Sequence, residues 1–269
     1  MNYHSDEWIM DRVREHYNEA LEHFPEDRIV GIVLQGSQNY GLETMYSDVD
    51  TKLIITPTFE DIAMNRQPIS TTHIRADNSH TDWKDIRLML KTFRSCNLNF
   101  LEILFSKYRI INPLYAEEWY RLIQNNELIA NYNPCKAVKT MQGLARRKYE
   151  QMEHESPSHH DDIEKYGYSP KELHHLLRIE EYIERYISGE SYADCLHTKK
   201  AAYLSGVKLE PFHLDAARTI AEHAIHHVDK MYDDFIVENS MGVNKDVDEL
   251  LDNVQYNIMK IAIKKEIGD

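Results

Sequence analysis

Asp48 and Asp50 stand two residues apart in the segment LQGSQNYGLETMYSDVDTKL, residues 34–53. On an extended strand alternate side chains share a face, so both carboxylates project the same way. Val49, Thr51 and Leu53 point the other way, which leaves one acidic face on an otherwise apolar strand. Two carboxylates so close repel each other. A hard divalent cation relieves that repulsion, and Mg²⁺ takes carboxylate oxygens together with substrate phosphates. Gly36 and Ser37 lie just past the apolar run Ile29 to Leu34 (IVGIVL). A helical turn opening there would make its free backbone N–H groups and the Ser37 hydroxyl into a phosphate site. Divalent ions facing a phosphate cradle are the equipment of nucleotidyl transfer, where two metals activate an acceptor oxygen and stabilise departing pyrophosphate. A lone DxD or a lone GS says little. The ordered set is what carries the reading: apolar strand, GS, about ten residues, SDxD, apolar strand.

A second group of chemistry-bearing residues lies further on. Lys171, His175 and Arg178 recur at i, i+4 and i+7, one face of one helix. Three cation-capable groups in a row suit triphosphate oxygens, and Arg178 can bind them in bidentate fashion. The plainer reading is a solvated face paired with Glu172, Glu180 and Glu181, while His174 falls off that face. Asn97, Asn99 and Glu102 could line an acceptor side or serve as caps and helix surface. Lys139, Arg146, Arg147 and Lys148 form a modest basic cluster that could receive a phosphorylated acceptor or offset nearby acid. His223, His226 and His227 have metal-like spacing, but no cysteine or carboxylate supports them as a zinc site.

The elements that must position these groups can be read from periodicity. Ser5 caps a helix to Phe24 with an apolar stripe of Ile9, Val13, Tyr17, Leu21 and Phe24. Strands follow at residues 29–34 and 49–55, and an extended stretch runs over 70–83 with Asp77-Asn78-Ser79 as a turn or bulge. Asp85 caps a helix over 86–94. Further helices are expected at 99–106, 113–124 and from Asn133-Pro134 to about 153. Residues 155–167 read as a linker or loop. Ser169-Pro170-Lys171-Glu172 is a capping box opening a helix to Ser188, and two more helices from Pro211 onward join near residues 239–244.

Composition narrows the class. The chain has 269 residues, 42% of them apolar, enough for a real core in one large domain or two small ones. Nine glycines and eight prolines are about half the usual share of ~12%, which favours long helices over sandwiches or propellers. The net charge of −14 repels phosphate backbones, so extended nucleic-acid coating is not expected, while a local basic site stays open. Three scattered cysteines form no CxxC pair and suit a reducing cytosol. The start MNYHSDEW is no signal peptide, and no apolar run approaches the ~18 residues of a membrane span. A cytoplasmic protein is expected, with no membrane partner.

G-S-x-x-Y-G-x(5)-S-D-x-D resembles the DNA polymerase β-like nucleotidyltransferase superfamily. More narrowly, the chain is similar to the RNA repair pathway polymerase β family and its phage-encoded relatives. His80-Thr81-Asp82-Trp83-Lys84-Asp85-Ile86-Arg87 resembles that family's H-x-D-x-K-D-[IL]-R segment. Asn97 to Phe105 resembles its N-x-N-x-[LVI]-E-x-L-F helix. Tyr168 to Arg178 resembles its Y-D-P-K-x(3)-H-x-x-R helix, with Ser169 in place of Asp. The likeness covers roughly residues 29–190.

The layout of elements gives an α+β fold, with a small strand-containing part in residues 1–110 and a larger helical region, 111–269; the resemblance implies that the sheet is a small mixed one of the polymerase β-like type and that the helical region contributes nucleotide contacts. It implies a third metal carboxylate on the next strand, Asp82 by position, with Asp77 the runner-up and His80 able to orient a carboxylate or the substrate. It implies two Mg²⁺ or Mn²⁺ ions at Asp48, Asp50 and Asp82, and an NTP, ATP among the candidates, held by Gly36, Ser37, Lys171, His175 and Arg178. A nucleoside monophosphate would pass to an acceptor hydroxyl, with Asp82 accepting or relaying its proton. The acceptor stays open: an RNA end such as that of tRNA, a small molecule, a second nucleotide giving a signalling oligonucleotide, or a protein hydroxyl as in nucleotidylating toxins. A non-catalytic nucleotide sensor of the same fold is the remaining alternative, and a bacterial or phage-infected cytosol is the expected setting.

Overall fold

In this computed structural model, which describes residues 3–45, 47–157, 159–239 and 242–268, the IVGIVL run becomes β1 (Ile29–Gln35). The other strands are β2 (Asp50–Ile55), β3 (Ser70–Ile74), β4 (His80–Asp85) and β5 (Arg109–Ile111). They form one five-stranded sheet in the order β3-β4-β2-β1-β5. Only β2 and β4 run parallel; the other pairs are antiparallel, so the sheet is mixed. With its helices the protein is α+β. The stretch at 70–83 is thus a hairpin of two strands, turned at Asn78, whose φ is 66°. Asp77 shapes that turn by accepting from the Ser79 N–H and hydroxyl at 3.1 and 2.6 Å.

The helices are α1 (Asp6–His23), α2 (Phe59–Ala63), α3 (Ile86–Arg94), α4 (Leu98–Leu101), α5 (Ala116–Gln124), α6 (Asn126–Ala130), α7 (Pro134–Gln151), α8 (His160–Tyr166), α9 (Pro170–Ile187), α10 (Tyr192–Leu196), α11 (Ala201–Leu209), α12 (Leu214–Glu238) and α13 (Lys245–Ile267). The chain divides into two compact units, Met1–Tyr132 with Val243–Asp269, and Asn133–Gly242. The division therefore falls at 132–133 rather than at 110, and α13 belongs with the sheet. No helix among the described residues is long and apolar enough to cross a membrane.

In the first unit α1 covers one face of the sheet. Ser5 caps it by accepting from the Trp8 N–H at 3.1 Å. Ile9, Val13, Ala20 and Phe24 pack on Ile29, Ile32, Leu34, Leu53, Ile55 and Tyr108. The buried stripe differs from the expected one: His16 is buried, whereas Leu21 is 40% exposed. Spacings of four and three residues track the 3.6-residue period, while strict steps of four drift around the helix. β5 was not anticipated, being three residues long and flanked by polar groups. It pairs with β1 through Gly31↔Ile111, where a Cβ on Gly31 would come within 2.7 Å of Ile111 Cδ1. Asp85 caps α3 as expected, accepting from the Arg87 N–H at 2.8 Å. The helix expected over 99–106 is shorter, α4 plus a 3-10 turn over Glu102–Leu104.

In the second unit the expected linker at 155–167 holds α8; its Ser158 lies outside the described residues. The capping box at Ser169 does not form: the Ser169 side chain makes no cap hydrogen bond. Glu172 instead pairs with Lys148 at 2.8 Å and His159 at 3.4 Å. The two helices expected from Pro211 are α12 and α13, and of their junction residues 240 and 241 lie outside the described residues.

Candidate functional site

The sheet register assembles one group of expected site residues. Asp50 opens β2 opposite Gln35, the last residue of β1. The turn at Gly36 therefore starts at the same end of the sheet as Asp48 and Asp50. Gln38, on that turn, donates from Nε2 to the Asp48 carbonyl at 2.7 Å, tying turn and acidic segment together. The parallel pairing of β2 with β4 sets Thr51 beside Thr81 and Lys52 beside Asp82. By strand alternation Asp50, Lys52, His80 and Asp82 share one face. Val49, Thr51 and Leu53, on the other, are buried against the core, as the alternation required.

Asp48 is exposed. Asp50 is half-buried, with Oδ1 accepting from the His80 backbone N–H at 2.8 Å and lying 3.4 Å from His80 Nδ1. Asp48 also lines a cleft of about 510 Å³ with Trp8, Asp11, Arg12, Glu15, Met45 and Asp77. The Trp8 ring stacks on His4 there, centroids 3.9 Å apart. Arg12 is engaged by Glu15 and Asp77, so the cleft is acidic on balance. Asp77 is pushed down to about 2, chiefly by the Ser79 hydroxyl. It is bound up in its turn and in Arg12.

Asp82 is in a different state from its neighbours. Lys52 Nζ donates to its Oδ2 at 2.9 Å and Gln35 Nε2 approaches the same atom at 3.4 Å. Thr72 donates to Oδ1 at 2.7 Å. Burial alone would raise its pKa, but the Lys52 charge and these hydrogen bonds outweigh it and hold the carboxyl below its usual value. Lys52 is 2% exposed and lies 4.0 Å from the centre of the Phe100 ring. Sequence reading passed over Lys52, Gln35 and Thr72. A lysine alternating with Asp50 on a strand that continues Leu53-Ile54-Ile55 is the signal that was there to find.

The GS turn is a single 3-10 turn, Ser37–Asn39. Gly36 has φ 99° and ψ −160°, a region open essentially to glycine alone. Its N–H donates to Glu102 Oε1 at 3.0 Å. This gives Gly36 the task of turning the chain, with its own amide already bound to a carboxylate. Glu102, weighed as an acceptor-side residue, faces the turn instead, and Asn97 caps α4 by accepting from the Asn99 N–H at 3.1 Å.

The second expected group lies on α9. Lys171 is exposed, His175 half-buried and Arg178 buried. Burial, followed by the charges of His174, Lys148, Arg178 and Lys171, pushes His175 well below its usual pKa. The carboxylates of the plainer reading are occupied elsewhere. Glu180 meets His227 at 2.8 Å, and Glu181 accepts from the Lys199 N–H at 2.7 Å. His174 is structural, its Nδ1 2.8 Å from the Leu204 carbonyl. Of the basic cluster on α7, Arg146 pairs with Asp229 and Lys148 with Glu172, both at 2.8 Å, so these two offset local acid.

Asp48 and Asp50 offer the donor set of a hard divalent ion, which uses one or two carboxylates and leaves positions for phosphate. Asp82 does not, since both its oxygens are engaged and one faces an ammonium. Among the described residues no group of three or more His, Cys, Asp or Glu side chains is arranged to hold a metal.

No protein-family model matches the chain, and no curated protein does. Among solved structures, the crystal structure of a nucleotidyltransferase-like protein from Exiguobacterium sibiricum 255-15 is similar at a TM-score of 0.33 and 11% sequence identity. That likeness covers 94% of this chain and 89% of the other. At that TM-score it bears on neither the fold type nor the chemistry.

Proposed function

We propose that this protein transfers a nucleoside monophosphate from an NTP to an acceptor hydroxyl and releases pyrophosphate. The observation that supports this reading is the convergence at one sheet end of the Gly36-Ser37 turn, the Asp48–Asp50 pair and Asp82 on the adjacent parallel strand. A divalent ion bound at Asp48 and Asp50 would supply charge neutralisation for the triphosphate and the departing pyrophosphate. Gly36 shapes the turn that presents the Ser37 hydroxyl and backbone to a phosphate oxygen. Asp82, held ionised by Lys52, accepts a hydrogen bond from the acceptor hydroxyl and orients its oxygen toward the α-phosphorus. The bond formed joins that oxygen to the α-phosphorus, and the bond broken is that from the α-phosphorus to the oxygen bridging to the β-phosphate. Pyrophosphate leaves with the electron pair, and the hydroxyl proton passes to the Asp82 carboxylate and on to solvent. Lys171, His175 and Arg178 are proposed as nucleotide contacts on the strength of the sequence resemblance alone. The acidic cleft beside Asp48 disfavours a polyanionic acceptor and accommodates a neutral or cationic one.

The test is pyrophosphate release from each of the four NTPs with Mg²⁺ or Mn²⁺, with and without total cellular RNA. Wild-type protein is expected to release pyrophosphate and Asp48→Ala/Asp50→Ala to lose at least a hundredfold. Product mass then identifies the acceptor. NTP binding with no release under any condition points to a nucleotide sensor, and no NTP binding at all ends this reading.

A further inference from the structure

We propose that Lys52 is a positioning residue whose fixed charge at Asp82 takes the place of a second metal ion, so that the site binds one divalent ion rather than two. This rests on the proposed nucleotidyl transfer and deepens it. Lys52 is buried among apolar neighbours on β2, where an ammonium persists only if it is paired. Its pairing is fixed by backbone, because the parallel β2–β4 register sets it directly beside Asp82. The contact is 2.9 Å, and the Phe100 ring face closes over the ammonium at 4.0 Å. Thr72 holds the other Asp82 oxygen at 2.7 Å. A second ammonium, Lys84, lies 5.0 Å from the same ring and is anchored to the Ser70 hydroxyl at 2.5 Å. The Asp82 side of the face therefore already carries cations of its own. A divalent ion seeking Asp82 would have to displace or sit against an ammonium bound to the oxygen it needs, and like charges at that distance repel.

The experiment counts Mn²⁺ bound per chain by electron paramagnetic resonance, in the presence of an equimolar mixture of the four α,β-methylene NTP analogues. Wild-type protein is expected to bind one ion. Lys52→Met, which removes the charge but keeps the length, is expected to gain a second, and Lys52→Arg to remain at one. Two ions on wild-type protein, or an unchanged single ion on a folded Lys52→Met, overturns the proposal while leaving nucleotidyl transfer standing. Should Lys52→Met fail to fold, as judged by circular dichroism, the wild-type count decides alone. No Mn²⁺ on wild-type protein overturns the metal-dependent function itself, and this inference with it.

Discussion

Gly36 and Asp82 illustrate how much of the site a single residue carries. At φ 99° and ψ −160°, Gly36 occupies backbone space that a side chain makes strained. Gly36→Ala is expected to cost about 1–3 kcal/mol, seen as a lowered urea midpoint, and to reduce NTP affinity through the displaced Ser37. Glu102 gives a contrasting case. Replacing Glu102 with Gln keeps an acceptor for the Gly36 N–H at 3.0 Å but removes a buried negative charge from the turn. NTP affinity is expected to rise severalfold in Glu102→Gln, measured by calorimetry, if the turn receives phosphate; an unchanged affinity removes the turn from the phosphate site. The inward side of the strand was legible from alternation, and Val49, Thr51 and Leu53 are buried as expected. The Lys52–Asp82 pair was not legible, because it depends on which strand lies beside β2 and in which direction, information held in no local window.

At the scale of elements, helices with clear periodicity and a cap or an opening proline were readable: α1, α3, α7 and α9 start within a residue of where sequence places them. The failures share a cause. β5 is three residues of Arg-Ile-Ile made into a strand by its partner β1, and α8 lies in a segment whose polarity reads as loop. Both take their form from tertiary context, which local propensity does not report. Gly31→Val is expected to force β5 off β1, since its Cβ would meet the Ile110 carbonyl at 2.9 Å. Overpacking of this kind costs about 1–3 kcal/mol, measurable as a drop in thermal midpoint. The α1–sheet interface carries a pH response as well. His16 is buried with Nδ1 2.9 and 3.0 Å from the Thr51 and Thr81 hydroxyls and Nε2 3.2 Å from that of Ser79. Burial, aided by Arg75 and Arg12, pushes it from 6.5 to about 4. Between those values the unfolded chain binds a proton that the folded chain does not, so stability is full above pH 6.5 and falls as pH drops toward 4. The loss is on the order of 3 kcal/mol. His174, pushed to about 4 by burial on α9, acts in the same window. His16→Gln is expected to flatten the dependence of the urea midpoint on pH between 7 and 5.

On the scale of the whole chain, the sheet unit is split in sequence. The chain leaves it at Tyr132 and returns at Val243, and the Asn244 N–H donates to the Tyr132 carbonyl at 2.9 Å, so exit and re-entry are adjacent. Within that unit α13 is held by Arg94, which donates to Asp248 and Asp252 at 2.9 and 2.6 Å, and by Asn257, which donates to Glu118 at 2.9 Å. A chain in which residues 1–132 are joined to 243–269 by a short glycine-serine bridge is expected to melt cooperatively. Residues 1–132 alone are expected to bind a hydrophobic dye and melt broadly, because the surfaces of α3 and α5 under α13 are then bare. The expected boundary at residue 110 followed the end of strand-like sequence and could not anticipate that return.

The split also sets an order on the ribosome. The sheet strands emerge first, yet the helix that seals their unit is translated only after all of Asn133–Gly242. At ordinary elongation rates that interval is on the order of ten seconds. During it the nascent first unit keeps an uncovered apolar surface, while the interrupting unit can close as soon as its own last helix clears the exit tunnel. The later-encoded unit is therefore the first to be complete, and the sheet with its acidic face is finished last.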